Sequence, residues 1–281
     1  MILSAFDMIA LGCVVFIGLP HGAFDGAIYA LLPDEITKQN RAKSLASFLA
    51  LYICLAGVIV VFWLMMPQLS LIAFLAISAF HFGKGDTEGY HGIARLIALI
   101  AHGGLVTLWL PLTHHEVAFS YFGALTFAPI EALSLLSAFM YACAFLWAIC
   151  VIAYGRMALT NPYYRGRFFE VLLLVPAMAY LPLLPAFALY FCAFHSRRHF
   201  VSLYHATKTN APAQLYALGI GLSVASWVFG AIALFVLNQY QSFALSAIQI
   251  IFIGLAALTV PHMILVDGLW RPLRKSLHSS R

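Results

Sequence analysis

Long apolar runs separated by short polar breaks make up almost the whole chain. Because a helix that crosses a membrane needs about 20 mainly apolar residues, these runs predict membrane spans near residues 2–32, 45–66, 69–83, 91–111, 131–154, 168–181, 185–204, 214–236 and 243–266. The stretch 168–204 is long enough for two crossings, and the prolines of LPLLP, Leu181 to Pro185, are expected to break a helix there. The pattern predicts an all-α polytopic membrane helical bundle of eight or nine transmembrane helices, with residues 1–281 forming a single integral-membrane domain.

The composition agrees with a membrane protein. Hydrophobic residues make up 63% of the chain and charged residues 9%, whereas soluble domains have roughly 25% charged residues. The first apolar run begins at Ile2 without a basic segment before it and continues past Pro20 without a cleavage site, so we expect it to stay in the mature protein. All five cysteines lie in apolar runs, which favours small buried side chains over disulfides or a cysteine metal site.

Basic residues lie on one side of the predicted bundle. With nine spans and the N-terminus outside, all 15 lysines and arginines fall in one set of connections, in the tail, or at a helix end next to them. Cytoplasmic loops carry such an excess, so we expect a multi-pass protein of the inner (plasma) membrane with a cytoplasmic C-terminus. Loops that face anionic lipid then explain the net charge of +5, and no nucleic-acid partner is expected.

Ionisable side chains inside the predicted spans point to a functional site. His21 and Asp25 lie near the middle of the first span, where an Asp costs about 2.5–3.5 kcal/mol on insertion scales, so such groups usually face the protein interior and have a partner. Five histidines lie in the span halves next to the basic side: His21, His81, His195, His199 and His262. Their similar depth predicts that they share one site.

The remaining histidines are expected to have ordinary roles. His102 and His205 lie within or at the end of spans without a second polar group at helical spacing, which favours core histidines with satisfied hydrogen bonds. Solvated positions in loops or tails are expected for His91, His114, His115 and His278.

His195 and His199 are the strongest metal-binding candidates. In FHSRRHF they stand four residues apart, so on a helix both rings lie on one face and can bind one metal ion. Ser196 stands where a zinc protease of the HExxH type has its glutamate, which excludes that class. Asp25 follows His21 by one helical turn, so its carboxylate is a candidate to accept the N–H of a metal-bound imidazole. A His–Asp hydrogen bond that only joins helices is the alternative.

Histidine ligands by themselves leave the metal open. Imidazole suits Zn, Cu, Fe and Ni, and an all-histidine site with open positions suits Fe(II) with room for dioxygen, while copper and zinc are not excluded. A metal transporter would need polar residues along a path to both faces, and the outer halves of the predicted spans are almost bare of them. A membrane di-iron desaturase would need several HxxxH or HxxHH clusters, and the chain has one HxxxH.

Small and aromatic residues indicate how helices and an apolar ligand are accommodated. Gly18, Gly22 and Gly26 recur every four residues, which predicts a smooth face for helix packing. Aromatic residues make up 15% of the chain. They suffice to line a long apolar tunnel, although membrane proteins are generally rich in them.

Four segments resemble motifs of one known family. GLPHGAFDG at 18–26, FHFGKGD at 80–86, FCAFHSRRH at 191–199 and VPHMILVDG at 260–268 are similar, in this order, to segments of the bacterio-opsin-related protein and homologue (Brp/Blh) family. Its members are integral-membrane β-carotene 15,15'-dioxygenases that make retinal for microbial rhodopsins. Phe24 and Gly26 stand where the family often has Leu and His, so Gly26 removes a polar neighbour of the expected site.

The resemblance implies a non-haem Fe(II) enzyme. The implied iron ligands, which are also the catalytic residues, are His21, His81, His195 and His199. Asp25 and Asp86 are expected beside these ligands or in the substrate pocket. His262 also matches a family position, and its role is open: a fifth ligand, a residue beside the ligands, or a residue of the substrate pocket. The implied reaction is central cleavage of β-carotene by dioxygen to two molecules of all-trans-retinal, with the carotenoid drawn from the lipid bilayer and a functional link to a microbial rhodopsin. A non-enzymatic membrane protein that binds retinal or carotenoid, or assists opsin assembly, is the alternative.

Overall fold

The structure, a computed structural model, describes residues 2–30, 41–207 and 213–265, and within these ranges it is all-helical with no strand. The basic tail, with the C-terminus, Asp267 and His278, lies outside the described residues. Three π-helical segments interrupt the α-helices at Val14–Gly18, Leu105–Trp109 and Leu189–Ser196, and two short 3-10 turns are Ile130–Leu133 and Pro162–Tyr164. The α-helices are Ala5–Cys13, Pro20–Ala23, Asp25–Ala30, Arg41–Met65, Pro67–Asp86, Gly92–Gly104, Leu110–Thr113, His115–Thr126, Ser134–Thr160, Arg165–Tyr180, Leu183–Ala188, Arg197–Thr207, Ala213–Leu237 and Phe243–Leu265.

Membrane-spanning length and apolarity are found in six helical stretches of the described ranges. These are Ala5–Ala23, Leu45–Met65, Gly92–Thr113, Ile130–Thr160, Tyr216–Leu237 and Phe243–Leu265. The chain is therefore an all-α membrane protein, while the predicted total of eight or nine spans is not confirmed. The other predicted spans coincide with Pro67–Asp86, Arg165–Tyr180 and the short segments between Leu183 and Thr207.

The helix break predicted at LPLLP is confirmed. The Arg165–Tyr180 helix ends before Leu181, whose backbone is extended, and the next helix begins at Leu183 after Pro182. A residue before a proline is driven out of the helical region by contact with the proline ring. The apolar stretch 168–204 is therefore divided into separate helical segments.

The chain divides into two compact units. The first contains the residues up to Leu11 and Pro67–His195, and the second contains Gly12–Met66 and the residues from Ser196 onward. The expectation of a single integral-membrane domain stays a prediction.

Two glycines set the separation of neighbouring helices in the first unit. A Cβ atom on Gly83 would lie 2.3 Å from the carbonyl oxygen of Leu99, and a Cβ atom on Gly103 would lie 2.0 Å from that of Ala79. Each glycine therefore faces the backbone of the other helix directly. Such close backbone contact is the usual role of small residues in membrane helix pairs.

Glycines act similarly in the second unit. A Cβ atom on Gly219 would lie 2.5 Å from the ring of Phe24, and a Cβ atom on Gly26 would lie 2.8 Å from a methyl group of Leu222. The helix-packing role predicted for the glycine stripe is thus seen at Gly26. A side chain at this position would point towards leucines. The absence of the histidine that the family often has there therefore does not remove a polar residue from the candidate site of this chain.

Candidate functional site

Most of the polar residues predicted to form the site are buried. His21, His81, His195 and His262 are each no more than 6% exposed, and Asp25 and Asp86 are each 2% exposed. His199 is half-buried. Of these residues, His81, His195 and Asp86 belong to the first compact unit, and the other members belong to the second.

In the first unit, His81 and His195 lie beside each other. Their ring centroids are 4.9 Å apart at an interplanar angle of 68°. Phe82 packs against His195 with a centroid distance of 4.7 Å, and Phe191 stacks on the same ring at 5.8 Å. The structure therefore brings this pair of predicted ligands together in an aromatic environment that keeps out water.

Asp86 connects the first unit's histidine region to two further side chains. Its Oδ2 accepts a hydrogen bond of 2.8 Å from the hydroxyl group of Tyr190 and lies 3.4 Å from Nδ1 of His102. Asp86 thus has partners on two other helical segments, which offsets the cost of burying a carboxylate in an apolar helix bundle. The sequence did not single out Tyr190.

In the second unit, three predicted site histidines form a triangle. The ring centroids of His21 and His199 are 5.6 Å apart, those of His21 and His262 are 5.1 Å apart, and those of His199 and His262 are 5.4 Å apart. All three contacts are edge-to-face. The structure thus places His262, whose role the sequence left open, directly against two predicted ligands.

The expected partner of Asp25 was wrong. Its carboxylate accepts from Nδ1 of His262 at 2.9 Å and from the hydroxyl group of Tyr52 at 2.8 Å, rather than from His21. His21 and Asp25 lie one helical turn apart only if one helix continues through both, but the helix Pro20–Ala23 stops at Phe24 and a new one begins with Asp25. The second unit therefore uses Asp25 to hold His262.

His21 finds its partner through the π-helical segment that precedes it. In a regular α-helix the Gly22 amide would meet the Gly18 carbonyl, but here it bonds to the Leu19 carbonyl at 3.1 Å. Nδ1 of His21 instead donates to the Gly18 carbonyl, and the Ser196 hydroxyl group lies 3.2 Å from the same nitrogen. Local loss of α-helical bonding thus provides the acceptor that orients the ring.

These hydrogen bonds favour one tautomer of His21 and of His262. A backbone carbonyl only accepts, so Nδ1 of His21 carries the proton and Nε2 carries the lone pair. The carboxylate of Asp25 favours the same state for His262. A metal-bound imidazole commonly donates its other N–H to a carbonyl or carboxylate in this way, so both rings are suited to binding through Nε2.

Within the described ranges, no group of three or more His, Cys, Asp or Glu side chains is arranged to hold a metal ion. The fit to a metal therefore rests on the type of donor, on burial and on the tautomers. Neutral imidazoles in a dry apolar setting suit iron, copper and zinc. His195 and His199 belong to different units, so their common helix face stays a prediction.

The other histidines differ in part from expectation. His205 is exposed, so its prediction as a core histidine was wrong. His102 is buried as predicted, but among the described residues its Nε2 has no hydrogen-bond partner. His114 and His115 are half-buried rather than solvated, because they bond to the Met178 carbonyl and the Ser137 hydroxyl group, each at 2.9 Å.

Comparisons with known proteins give one consistent result. A family model described as beta-carotene 15,15'-dioxygenase matches residues 13–270. The chain is 39% identical to the beta-carotene 15,15'-dioxygenase of uncultured marine bacterium 66A03 over 280 residues, which cover 99% of this chain and 98% of that protein. It is 31% identical to the probable beta-carotene 15,15'-dioxygenase Blh of Halobacterium salinarum over 209 residues, which cover 66% of this chain and 58% of that protein. No solved structure matches the chain.

Proposed function

Because the chain is an enzyme of the β-carotene 15,15'-dioxygenase (Brp/Blh) family, we propose that it cleaves β-carotene with dioxygen at the central double bond to give two molecules of all-trans-retinal. The observation that carries this proposal is the 39% identity over 99% of the chain to a relative of that name. The match spans all four motif segments, so it includes every histidine of the candidate site.

Iron is the proposed cofactor. We propose that Fe(II) is held by His21, His81, His195 and His199, with His262, Asp25 and Asp86 beside them. The burial of His21, His81 and His195 and the Nδ1–H tautomer of His21 support the proposal. Bound Fe(II) would supply the redox chemistry that lets dioxygen react with a carbon–carbon double bond.

The protein's own residues orient the imidazoles of the site and shield them from water. The Gly18 carbonyl and Asp25 hold the rings of His21 and His262, and Phe82 and Phe191 shield His195 from water. Each dioxygen molecule gives one oxygen atom to each aldehyde, so the reaction needs no net proton or electron from a side chain. A pair of acid and base carboxylates is therefore not required.

The substrate and the setting of the enzyme fit together. β-Carotene dissolves in the bilayer, and an all-α membrane protein can admit it between helices without transferring it through water. We propose that the protein lies in the inner membrane with its C-terminus in the cytoplasm, because the basic residues fall on one side of the predicted spans. We further propose that the retinal supplies a microbial rhodopsin.

The test is to add β-carotene to membranes that contain this chain, in the presence of oxygen, and to separate the products by chromatography. Retinal as the only aldehyde is the expected result, with two molecules formed for each carotenoid consumed. Longer apocarotenals as the main product would contradict central cleavage. No aldehyde from protein that has bound iron would contradict the proposed activity.

A further inference from the structure

Two pairs of residues join the Pro67–Asp86 helix to the Leu189–Ser196 segment in antiparallel register. His81 lies against His195, with ring centroids 4.9 Å apart. Asp86, five positions after His81, accepts a hydrogen bond of 2.8 Å from Tyr190, five positions before His195. One end of this contact therefore holds two proposed iron ligands, and the other holds a carboxylate–phenol bond.

Phe82 makes the two pairs one packed assembly. Its ring lies 5.4 Å from that of Tyr190 and 4.7 Å from that of His195. Phe194 stacks on Tyr190 with an interplanar angle of 8° and a centroid distance of 6.4 Å. Phe82 therefore contacts both the phenol of Tyr190 and the imidazole of His195.

Burial makes the Asp86–Tyr190 bond difficult to replace. Tyr190 is 0% exposed and Asp86 is 2% exposed, so water cannot take the place of either partner. A hydrogen bond to a charged group contributes more than one between neutral groups, and the loss of one partner leaves the other buried and unsatisfied. The bond therefore holds the two segments in one relative position.

The carboxylate is itself fixed by a third element. The same Oδ2 atom of Asp86 lies 3.4 Å from Nδ1 of His102, on the Gly92–Gly104 helix. That helix is in backbone contact with the Pro67–Asp86 helix at Gly83 and Gly103. Asp86 is therefore part of a closely packed helix pair, and Tyr190 is the member that joins the His195 segment to it.

We propose that Asp86 and Tyr190 are positioning residues for iron binding: their hydrogen bond sets the relative orientation of the His81 and His195 imidazoles. This inference rests on the proposed role of the two histidines as ligands. Neither Asp86 nor Tyr190 is itself a ligand in this assignment. Without the bond, the Leu189–Ser196 segment shifts and the two nitrogen donors no longer converge.

The test measures iron(II) binding to purified full-length chain under anaerobic conditions. Tyr190→Phe keeps the ring that packs on Phe82 and removes only the hydroxyl group. We expect iron(II) affinity to fall about 10–100-fold, as when a group that orients a metal ligand is removed. The control is Tyr154→Phe, which also removes the hydrogen-bonded hydroxyl group of a tyrosine that is 0% exposed in the same unit.

The control separates positioning from stability. If Tyr190 has a purely structural role, Tyr190→Phe and Tyr154→Phe should lower the unfolding temperature by similar amounts and should have the same iron affinity as each other. We expect weaker iron binding only in Tyr190→Phe. Equal weakening of iron binding in the two variants would overturn the proposal.

Asp86→Asn provides a second, independent measurement. It removes the charge that strengthens the hydrogen bond from Tyr190, so it should also weaken iron(II) binding. The double variant should bind iron(II) no more weakly than the weaker of the two single variants, because both changes act on the same bond. Wild-type affinity in Tyr190→Phe and Asp86→Asn, with binding lost in His81→Ala and His195→Ala, would refute the positioning role and leave the ligand assignment intact. Wild-type affinity in His81→Ala and His195→Ala would refute the ligand assignment itself and the positioning role with it.

Discussion

Tyr52 donates a hydrogen bond of 2.8 Å to the carboxylate of Asp25. The same carboxylate accepts from Nδ1 of His262, so one buried acidic group joins three helices of the second unit. Asp25 was expected beside His21, and its position against His262 changes what its removal should do. The ring of His262, in contact with both His21 and His199, is the part of the site that depends on Asp25.

Asp25→Asn should weaken iron binding and slow retinal formation without abolishing either. The amide keeps the shape of the carboxylate but loses its charge, so His262 is held less firmly in its tautomer. We expect a loss of about 10–100-fold, the range typical for groups that orient metal ligands. The measurement is the iron content and the retinal yield. Asp7→Asn is the control, because that carboxylate bonds to Ser4 near the start of the chain.

Tyr52→Phe should lower stability. Loss of the hydroxyl group leaves the buried carboxylate of Asp25 with one partner fewer, which is expected to cost about 1–3 kcal/mol of unfolding free energy. Thermal unfolding in detergent measures the change. Tyr240→Phe is the control in the same unit, because Tyr240 is 85% exposed. Equal unfolding temperatures of the two variants would show that the bond to Asp25 contributes nothing.

His195→Ala should remove bound iron and all retinal formation, because a direct ligand cannot be replaced by water at the same strength. His114→Ala provides the matched control: it removes an imidazole bonded to the Met178 carbonyl, outside the proposed ligand set. Metal analysis of both purified variants decides the assignment. Full iron in His195→Ala, or an iron-free His114→Ala protein of normal stability, would each contradict it.

Gly103→Ala should destabilise the protein. The added Cβ atom would lie 2.0 Å from the carbonyl oxygen of Ala79, so the two helices must move apart, and overpacking of this kind typically costs about 1–3 kcal/mol. Gly57→Ala is the control, because a Cβ atom there has nothing within 4 Å. Unfolding temperatures of the two variants give the comparison, and a stable Gly103→Ala protein would mean that the helices are less closely packed than described.

The orientation in the membrane is testable with single cysteines in a chain whose five native cysteines are replaced. A cysteine at Arg165 should be protected from impermeant reagents added to intact cells, because basic loops face the cytoplasm. A cysteine at Ile130, which is 45% exposed beyond the His115–Thr126 helix, should be labelled. The reverse pattern would invert the proposed topology.

The sequence predicted those features of the fold that depend on the composition of long stretches of chain or on prolines. The length of the apolar runs predicted a helical membrane protein, and the two prolines of LPLLP predicted the helix break after Tyr180. Buried positions of His21, His81, His195 and His262 were predicted because an ionisable group at membrane depth is expected to face the interior. The membrane class and the burial of these histidines follow from the cost of exposing polar groups to lipid, and the helix break follows from the contact of the proline ring with the preceding residue.

The hydrogen-bond partners of the site residues could not be predicted where a helix is interrupted. The spacing between His21 and Asp25 assumed an uninterrupted α-helix, and the break at Phe24 made that assumption wrong. Tyr52 and Tyr190 are two of 13 tyrosines in an aromatic-rich chain, and nothing in their local pattern distinguishes them from ring-packing residues. Their hydroxyl groups acquire a role only when a distant carboxylate is brought within hydrogen-bond distance.

The π-helical segment Val14–Gly18 makes the site sensitive to chain length as well as to side-chain identity. A hydrogen-bonded π turn contains one residue more than an α turn. Deletion of one residue from this segment would therefore let the π turn revert to an α turn, with little rotation of the residues that follow, because the turn loses only its extra residue. A backbone amide would then take the Gly18 carbonyl, so His21 would lose the acceptor that orients its ring although every side chain of the site was still present. Variation in this segment is accordingly expected as substitutions, and not as insertions or deletions.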